Sequence, residues 1–483
     1  MPPVSLDDEL RRRIDAFCRG VLDAEPIPGL SVAVVDGAGL SHAAGYGSRD
    51  VAGGRPATPA TLYGVGQCSK PVTAVAVLQL VDGGLLSLSE PVGDRLPISL
   101  GDDEPVRVRH LLEHTSGLPR LGVGETLLAR ELRLSGTGPP LGDREDFYAY
   151  VDDADAERVA PPGERFAAGA VDYVLLGELI ESVTGRSFAE YVQEHVFAPL
   201  EMERATFDER AFARDDDHMT QYLLDEGEPT AASLPMAELT RPAAGVLAPV
   251  EELAAFVRLH LGDGAAEGER LLSAETLVPA HEARVDAPGG AYGFGLRRRT
   301  VAGETLVGHT GDVAVAGGYL GFLPDAGCGL VVACNAAPSF SLAQVGAAVA
   351  AILLGEEPAD VVPFWRRRRR RRGLVGEYAA YRGRRQAVVR PDGDALRLRL
   401  VGPLGQSTTV LIAPGEGDDG GELRKVGDEA ARSDREQVTY LAPGPDGEHR
   451  PVEFRVADGP TTLLYDGWRL ERVSPTPPEP PSE

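Results

Sequence analysis

An α+β fold is what this 483-residue sequence predicts: an antiparallel sheet flanked by helices, interrupted by a helical insert, with a small all-β domain behind it. Three observations point there. An opening helix leads directly into a β-hairpin, and a second group of strands returns near residues 306–333, after a long helical stretch. A further helix closes that region at Gln344–Leu354, and beyond residue 360 the pattern changes to short alternating strands.

The opening helix rests on Leu10, Ile14, Phe17 and Val21, which recur at helical spacing. Gly29 to Val35 reads as a strand, and Asp36-Gly37 turns it into a partner near His42 to Tyr46. The next helix carries Lys70 and tolerates Pro71, because a first-turn residue has no intrahelical N–H bond to lose. A helix over Asp172 to Val183 ends at Gly185, and another is expected from Phe188 to Phe197. Leu306 to His309, Ala316 to Leu323 and Leu330 to Ala333 are three successive strands.

Pro358 to Trp365 then leads into seven arginines, Arg366 to Arg372, read as a solvated linker or helix face. After them, Tyr378, Tyr381, Ala387 to Val389, Leu396 to Leu400, Val410 to Ile412, Val438 to Leu441, Val452 to Val456 and Leu463 to Tyr465 mark short strands of a small sandwich or barrel. The division is a main domain over 1–357, an arginine-rich linker over 358–373, an antiparallel β domain over 374–473 and a Pro-rich, disordered tail over 474–483.

Composition narrows function. The net charge of −26 disfavours general nucleic-acid binding, and the basic residues are almost all arginine, with Lys70 and Lys425 the two lysines. Acidity with little lysine suits a halophilic source. Cys18, Cys68, Cys328 and Cys334 show neither paired metal spacing nor a disulfide framework. His42, His110, His195, His218, His260, His281 and His449 form no ligand cluster, so neither a metal site nor a cofactor is expected. Residues 1–17 carry no apolar signal core and no segment reaches about 20 apolar residues, which predicts a cytoplasmic protein without a membrane span.

Chemistry concentrates in four stretches. Gly66-Gln67-Cys68-Ser69-Lys70 opens the second helix, Leu111-Leu112-Glu113-His114-Thr115-Ser116-Gly117-Leu118-Pro119 follows it, and Pro162-Gly163-Glu164-Arg165-Phe166 precedes Tyr173-Val174-Leu175-Leu176-Gly177. Gly308-His309-Thr310-Gly311 lies on a strand. With Val183-Thr184-Gly185 and Ala198-Pro199-Leu200-Glu201-Met202, these landmarks, in this order, resemble the β-lactamase-related and penicillin-binding-protein-like serine hydrolases, over roughly residues 10–350.

The resemblance implies a β-lactamase-like sheet and a site with Ser-x-x-Lys on a helix. Residues i and i+3 share a helix face, so the lysine amine can take the serine proton. Here the pair is Gln67 and Lys70, and a carboxamide is not a nucleophile. The family's Tyr and Asn of the second motif fall at Ala168 and Ala170, whose methyl groups can neither move a proton nor hold substrate. Cys68 and Ser69 point away from the Lys70 face, because successive helix positions rotate about 100°. His114 reads as a hydrogen-bonded packing residue.

These residues support a pseudo-hydrolase that keeps the pocket and binds a small molecule or partner without covalent turnover. Lys70 and His309 are its acid–base candidates, and Gln67, Thr310 and Gly311 its ligand contacts. Two alternatives stay open: an active enzyme using Lys70 and His309 as an acid/base pair on an ester or amide-like substrate, or a thiol hydrolase using Cys68. The oligomeric state is left open.

Overall fold

The apolar run at 330–333 belongs to a strand buried on both faces, which is why it shows no alternation. In the computed structural model, residues 6–476 are described apart from 101–103, 121, 132–140, 142, 226, 267, 394, 404, 414–435, 444–447 and 457–459. The chain divides into two units, Met1–Val362 and Pro363–Glu483.

The first unit is built on a nine-stranded antiparallel sheet. Helix α1 (Asp8–Leu22) is capped by Asp7, whose side chain accepts from Leu10 N–H at 2.8 Å. It leads into β1 (Gly29–Asp36), β2 (Gly39–Asp50) and β3 (Arg55–Pro56). The remaining strands come from much later in the chain: β4 (Val285–Ala287), β5 (Gly290–Tyr292), β6 (Arg297–Val301), β7 (Glu304–Asp312), β8 (Gly317–Leu323) and β9 (Cys328–Cys334). The order is β4-β5-β6-β7-β8-β9-β1-β2-β3, so the first hairpin completes a sheet begun by the last strands. Its central pairing sets Val32 against Val332 and Leu30 against Cys334.

Helices cover both faces. Phe322, Gly329 and Val35 fall on one face, where Phe322 stacks on His260 of α5 (Val250–Leu261). A Cβ on Gly329 would lie 2.3 Å from Val257 of that helix. Tyr319 stands on the opposite face against Gly346 of α6 (Ala343–Leu353). Between the two groups of strands lie α2 (Ser69–Asp82), α3 (Val108–Leu112) and α4 (Val171–Thr184), whose C-terminus Gly185 ends in the left-handed conformation. The helix expected over 188–197 is α-helical only to Val192 and continues as one π turn, Gln193–Phe197.

The second unit opens with a helix, α7 (Pro363–Leu374), that contains the whole arginine run, so of the two readings, linker or helix face, the stretch is helical. Eight antiparallel strands follow: β10 (Gly376–Ala380), β11 (Gln386–Asp392), β12 (Ala395–Gly402), β13 (Gly405–Leu411), β14 (Glu436–Pro443), β15 (His449–Val456), β16 (Thr462–Tyr465) and β17 (Trp468–Ser474). The order β13-β12-β11-β10-β17-β16-β15-β14 is closed by reciprocal 2.8 Å bonds between Ile412 and Leu441, which turns the sheet into a barrel. Leu396, Leu398 and Leu400 point inward, and Tyr378 and Phe454 fill the same core. Tyr381, expected in a strand, is 79% exposed on a 3-10 turn. The last strand, β17, does not read from sequence, because Arg472 and Val473 reverse the apolar–polar alternation that Trp468, Arg469, Leu470 and Glu471 begin. Residues 477–483 of the expected tail lie outside the described residues.

Candidate active site

Residue 67 stands on a single 3-10 turn, Gly66–Cys68, that runs straight into α2. This turn is pressed against the end of β7. Gly66 has φ of +55°, and a Cβ on Gly311 would lie 2.0 Å from Val65 O and 2.5 Å from Gln67 N. Only glycine permits that approach, so the His309-Thr310-Gly311 strand is held beside the helix start. Across the junction Gln67 Oε1 accepts the Asp312 N–H at 2.6 Å.

The hydroxyl and thiol that follow turn elsewhere, as the helical rotation requires. Cys68 is buried, its Sγ lies 3.4 Å from His309 O, and burial pushes the thiol up. Ser69 Oγ donates to Gly66 O at 2.7 Å and accepts from Val246 N–H at 2.9 Å, closing the helix start.

Lys70 is buried one turn on, and its Nζ lies 2.9 Å from His114 Nε2 and 3.3 Å from Gly169 O. His114 Nδ1 lies 2.6 Å from Asp172 Oδ2. A neutral imidazole donates at one nitrogen and accepts at the other. With Nδ1–H given to the carboxylate, Nε2 is free to accept from the amine, forming a chain Lys70–His114–Asp172. Burial pulls Lys70 down to about 8, although the Asp172 carboxylate opposes it. Burial likewise pushes Asp172 up to about 7 and holds His114 well below the ordinary histidine value, so His114 is neutral at neutral pH.

Local backbone bonds build this chain. His114 has φ of +56°, and the loop after α3 is tied to the segment before α4 by Gly163 N–H to Thr115 O (2.7 Å), Val159 N–H to Gly117 O (2.9 Å) and Ala167 N–H to His114 O (2.8 Å). A Cβ on Gly117 would lie 2.0 Å from Ala160 O, so that glycine is required for the loops to meet. His114 is thus buried and hydrogen-bonded, as a packing residue would be, and its partners are Lys70 and Asp172.

A cavity of about 420 Å³ opens on these groups. Gln67, Lys70, His114, Ala168, Ala170, Tyr292, Arg297, His309 and Thr310 line it, whereas Gly311 and Cys68 do not. His309 is buried with Nδ1 2.7 Å from Thr310 O, which leaves Nε2 as an acceptor; burial and the nearby Lys70 and Arg297 charges hold it well below its ordinary value. Lys70 and His309 both line the cavity, but among the described residues no hydrogen bond joins them; the side-chain partner of the Lys70 amine is His114.

Tyr292 and Arg297 were not singled out from sequence. The Tyr292 hydroxyl is buried beside that of Tyr173, which donates to Leu112 O at 3.0 Å. Arg297 stands over the rings of Phe166 (5.3 Å) and Tyr292 (5.7 Å) and donates to Pro288 O at 3.0 Å. No carboxylate pairs with its guanidinium among the described residues, whereas Arg120 is held by Glu125 at 2.7 Å. Asp172 left one faint signal, a charged residue beside the apolar Tyr173–Leu176 run, whereas Arg297 opens the run Arg297-Arg298-Arg299, whose members the sequence does not tell apart. Among the described residues no group of three or more His, Cys, Asp or Glu side chains is placed to hold a metal ion, and no helix is long and apolar enough to cross a membrane.

The family description "Beta-lactamase" matches residues 14–354, and the chain belongs to that family. A second description, "Pab87 octamerisation domain", matches residues 358–471. The chain is similar to a solved structure described as the octameric penicillin-binding protein homologue from Pyrococcus abyssi, at 30% identity and a TM-score of 0.83, covering 95% of this chain and 99% of that one. It is 28% identical over 263 residues to Protein flp of Staphylococcus aureus strain MW2, covering 53% of this chain and 50% of that protein. It is 31% identical over 264 residues to penicillin-binding protein 4 of Amycolatopsis lactamdurans, covering 51% and 63%. The matched region thus spans between half and two thirds of the length of these curated relatives.

Proposed function

We propose that this chain is a pseudo-hydrolase of the β-lactamase family, whose cavity binds a small anionic molecule without forming an acyl-enzyme. The observation that carries the reading is the Gln67 carboxamide. It stands where the family places its nucleophile, and its oxygen takes the Asp312 N–H at 2.6 Å. Acyl transfer needs backbone N–H donors free to receive the developing oxyanion. Gln67 therefore supplies no nucleophile and also occupies a donor. Ala168 and Ala170 leave the cavity without the proton-moving and substrate-holding groups of the second motif. The half-buried Arg297 guanidinium, with no carboxylate partner among the described residues, sets the preference for an anion.

The test is intact mass after incubation with a penicillin and with a fluorophosphonate. An unchanged mass supports the reading, and a stable adduct on the 66–70 peptide overturns it. The hydrogen-bonded Lys70–His114–Asp172 chain favours a second reading, an enzyme doing acid–base chemistry that needs no serine. Cys68 gives no comparable support for a thiol hydrolase, since it is buried outside the cavity lining with its thiol pushed up. For the second unit we propose assembly of eight copies of the 51.1 kDa chain, on the match to an octamerisation domain and the likeness to an octameric homologue. Light scattering on the full chain and on residues 1–362 tests this: the full chain should be octameric and the truncated one smaller.

A further inference from the structure

We propose that Lys70 is itself a nucleophile in this cavity, forming an imine with small 2-oxo acids whose carboxylate is held by Arg297. The inference rests on the anion-binding reading above and adds a covalent step to it. With glutamine at residue 67, the amine that serves a neighbouring hydroxyl in the family has no hydroxyl to serve. Its Nζ lines the cavity and has an acceptor at 2.9 Å in His114 Nε2, backed by Asp172 at 2.6 Å. A desolvated lysine amine beside other cationic groups is the chemical setting in which lysine attacks carbonyl carbon.

The atoms balance along this chain. Lys70 ammonium gives a proton transiently to His114 Nε2, an uphill transfer because burial disfavours the imidazolium, which Asp172 stabilises. The free amine lone pair bonds to the carbonyl carbon while the carbonyl π pair moves to oxygen. After proton transfer from nitrogen to that oxygen, the carbinolamine hydroxyl takes the proton back from His114 and leaves as water. The nitrogen lone pair forms the C=N bond. The net change is one carbonyl oxygen lost as water, with the positive charge kept on the iminium nitrogen.

Glyoxylate is a fitting probe, small enough for a cavity of about 420 Å³ and carrying both groups. The full chain is incubated with glyoxylate and sodium cyanoborohydride at pH 8, and the adduct is mapped by peptide mass. At that pH about half of Lys70 is the free amine, given its lowered value of about 8. An unperturbed lysine is about 0.4% free, roughly a hundredfold less. Lys425, the chain's other lysine, is the internal comparison. We expect carboxymethylation at Lys70 at least about tenfold above Lys425, and its loss in Lys70→Met.

The wild-type distribution decides the matter even if Lys70→Met does not fold. Labelling of Lys425 at or above the level of Lys70 overturns the imine. Propanal, a neutral aldehyde, separates the two readings. Propanal labelling Lys70 as well as glyoxylate does overturns the anion site while supporting the nucleophile. Glyoxylate that raises the melting temperature of wild type but not of Arg297→Leu, with no adduct on Lys70, supports the anion site and overturns the imine.

Discussion

Replacing Asp172 with asparagine should lower the proton affinity of Lys70 by an amount the geometry sets. The two charges lie at either end of the His114 ring, through contacts of 2.9 and 2.6 Å. Including the width of the ring they are roughly 7 Å apart, which at an effective dielectric of about 20 is worth roughly 2.4 kcal/mol. Asp172, pushed up to about 7, is ionised where Lys70 titrates, so the attraction is present at the relevant pH. Removing it should carry the Lys70 midpoint from about 8 to between about 6 and 7. Selective ¹³Cε-lysine labelling makes the assay direct, because the chain has two lysines and yields two resonances. Lys70→Met assigns them. A wild-type midpoint above about 9.5, or the same midpoint in Asp172→Asn, would refute the claim that burial lowers Lys70 and Asp172 supports it.

The same shifts dictate how stability follows pH. Lys70 binds its proton less tightly folded than unfolded, so between about pH 8 and 10.4 the unfolded chain holds more protons and this group's contribution rises with pH. Asp172 is raised, so its contribution falls between about pH 4 and 7. Urea melts of wild type minus the Lys70→Met/Asp172→Asn double variant should show this difference lowest near pH 7–8; a difference flat with pH counts against it. Gln67→Ser should restore little turnover of an activated ester, whereas adding Ala168→Tyr and Ala170→Asn should raise it by about 10²–10⁴-fold; equal rates in the two variants would show that the second-motif residues are not what is missing. Gly311→Ala forces a methyl to 2.0 Å from Val65 O and should cost several kcal/mol, with thermal denaturation as the check.

The elements that were legible were those with a strong local period. Ile14, Cys18 and Val21 are buried along α1 at helical spacing, and β9 keeps its apolar run because helices cover both faces of the sheet there. Elements that failed to read lacked such a period. Tyr381 has strand propensity but sits on an exposed turn, and the arginine run, which without an amphipathic pattern read equally as linker or helix face, is helical. The family landmarks likewise located the cavity, since Gln67, Lys70, Ala168, Ala170, His309 and Thr310 all line it.

What the sequence by itself determined is the set of side chains on each element: a carboxamide at 67, an amine at 70, methyl groups at 168 and 170, and glycines where strand and helix meet. Those identities follow from residue types at helical and strand spacing, which need no knowledge of the rest of the chain. Only the tertiary structure decided the partners. His114 and Asp172 are 58 residues apart, and Gln67 and Asp312 are 245 apart. A hydrogen bond depends on a few tenths of an ångström and on direction, and those are set by how the loops at 114–119 and 159–170 lock together. Burial, which only the packed fold produces, then lowers Lys70 and raises Asp172, so the charge of the site belongs to the fold and not to its residues taken singly.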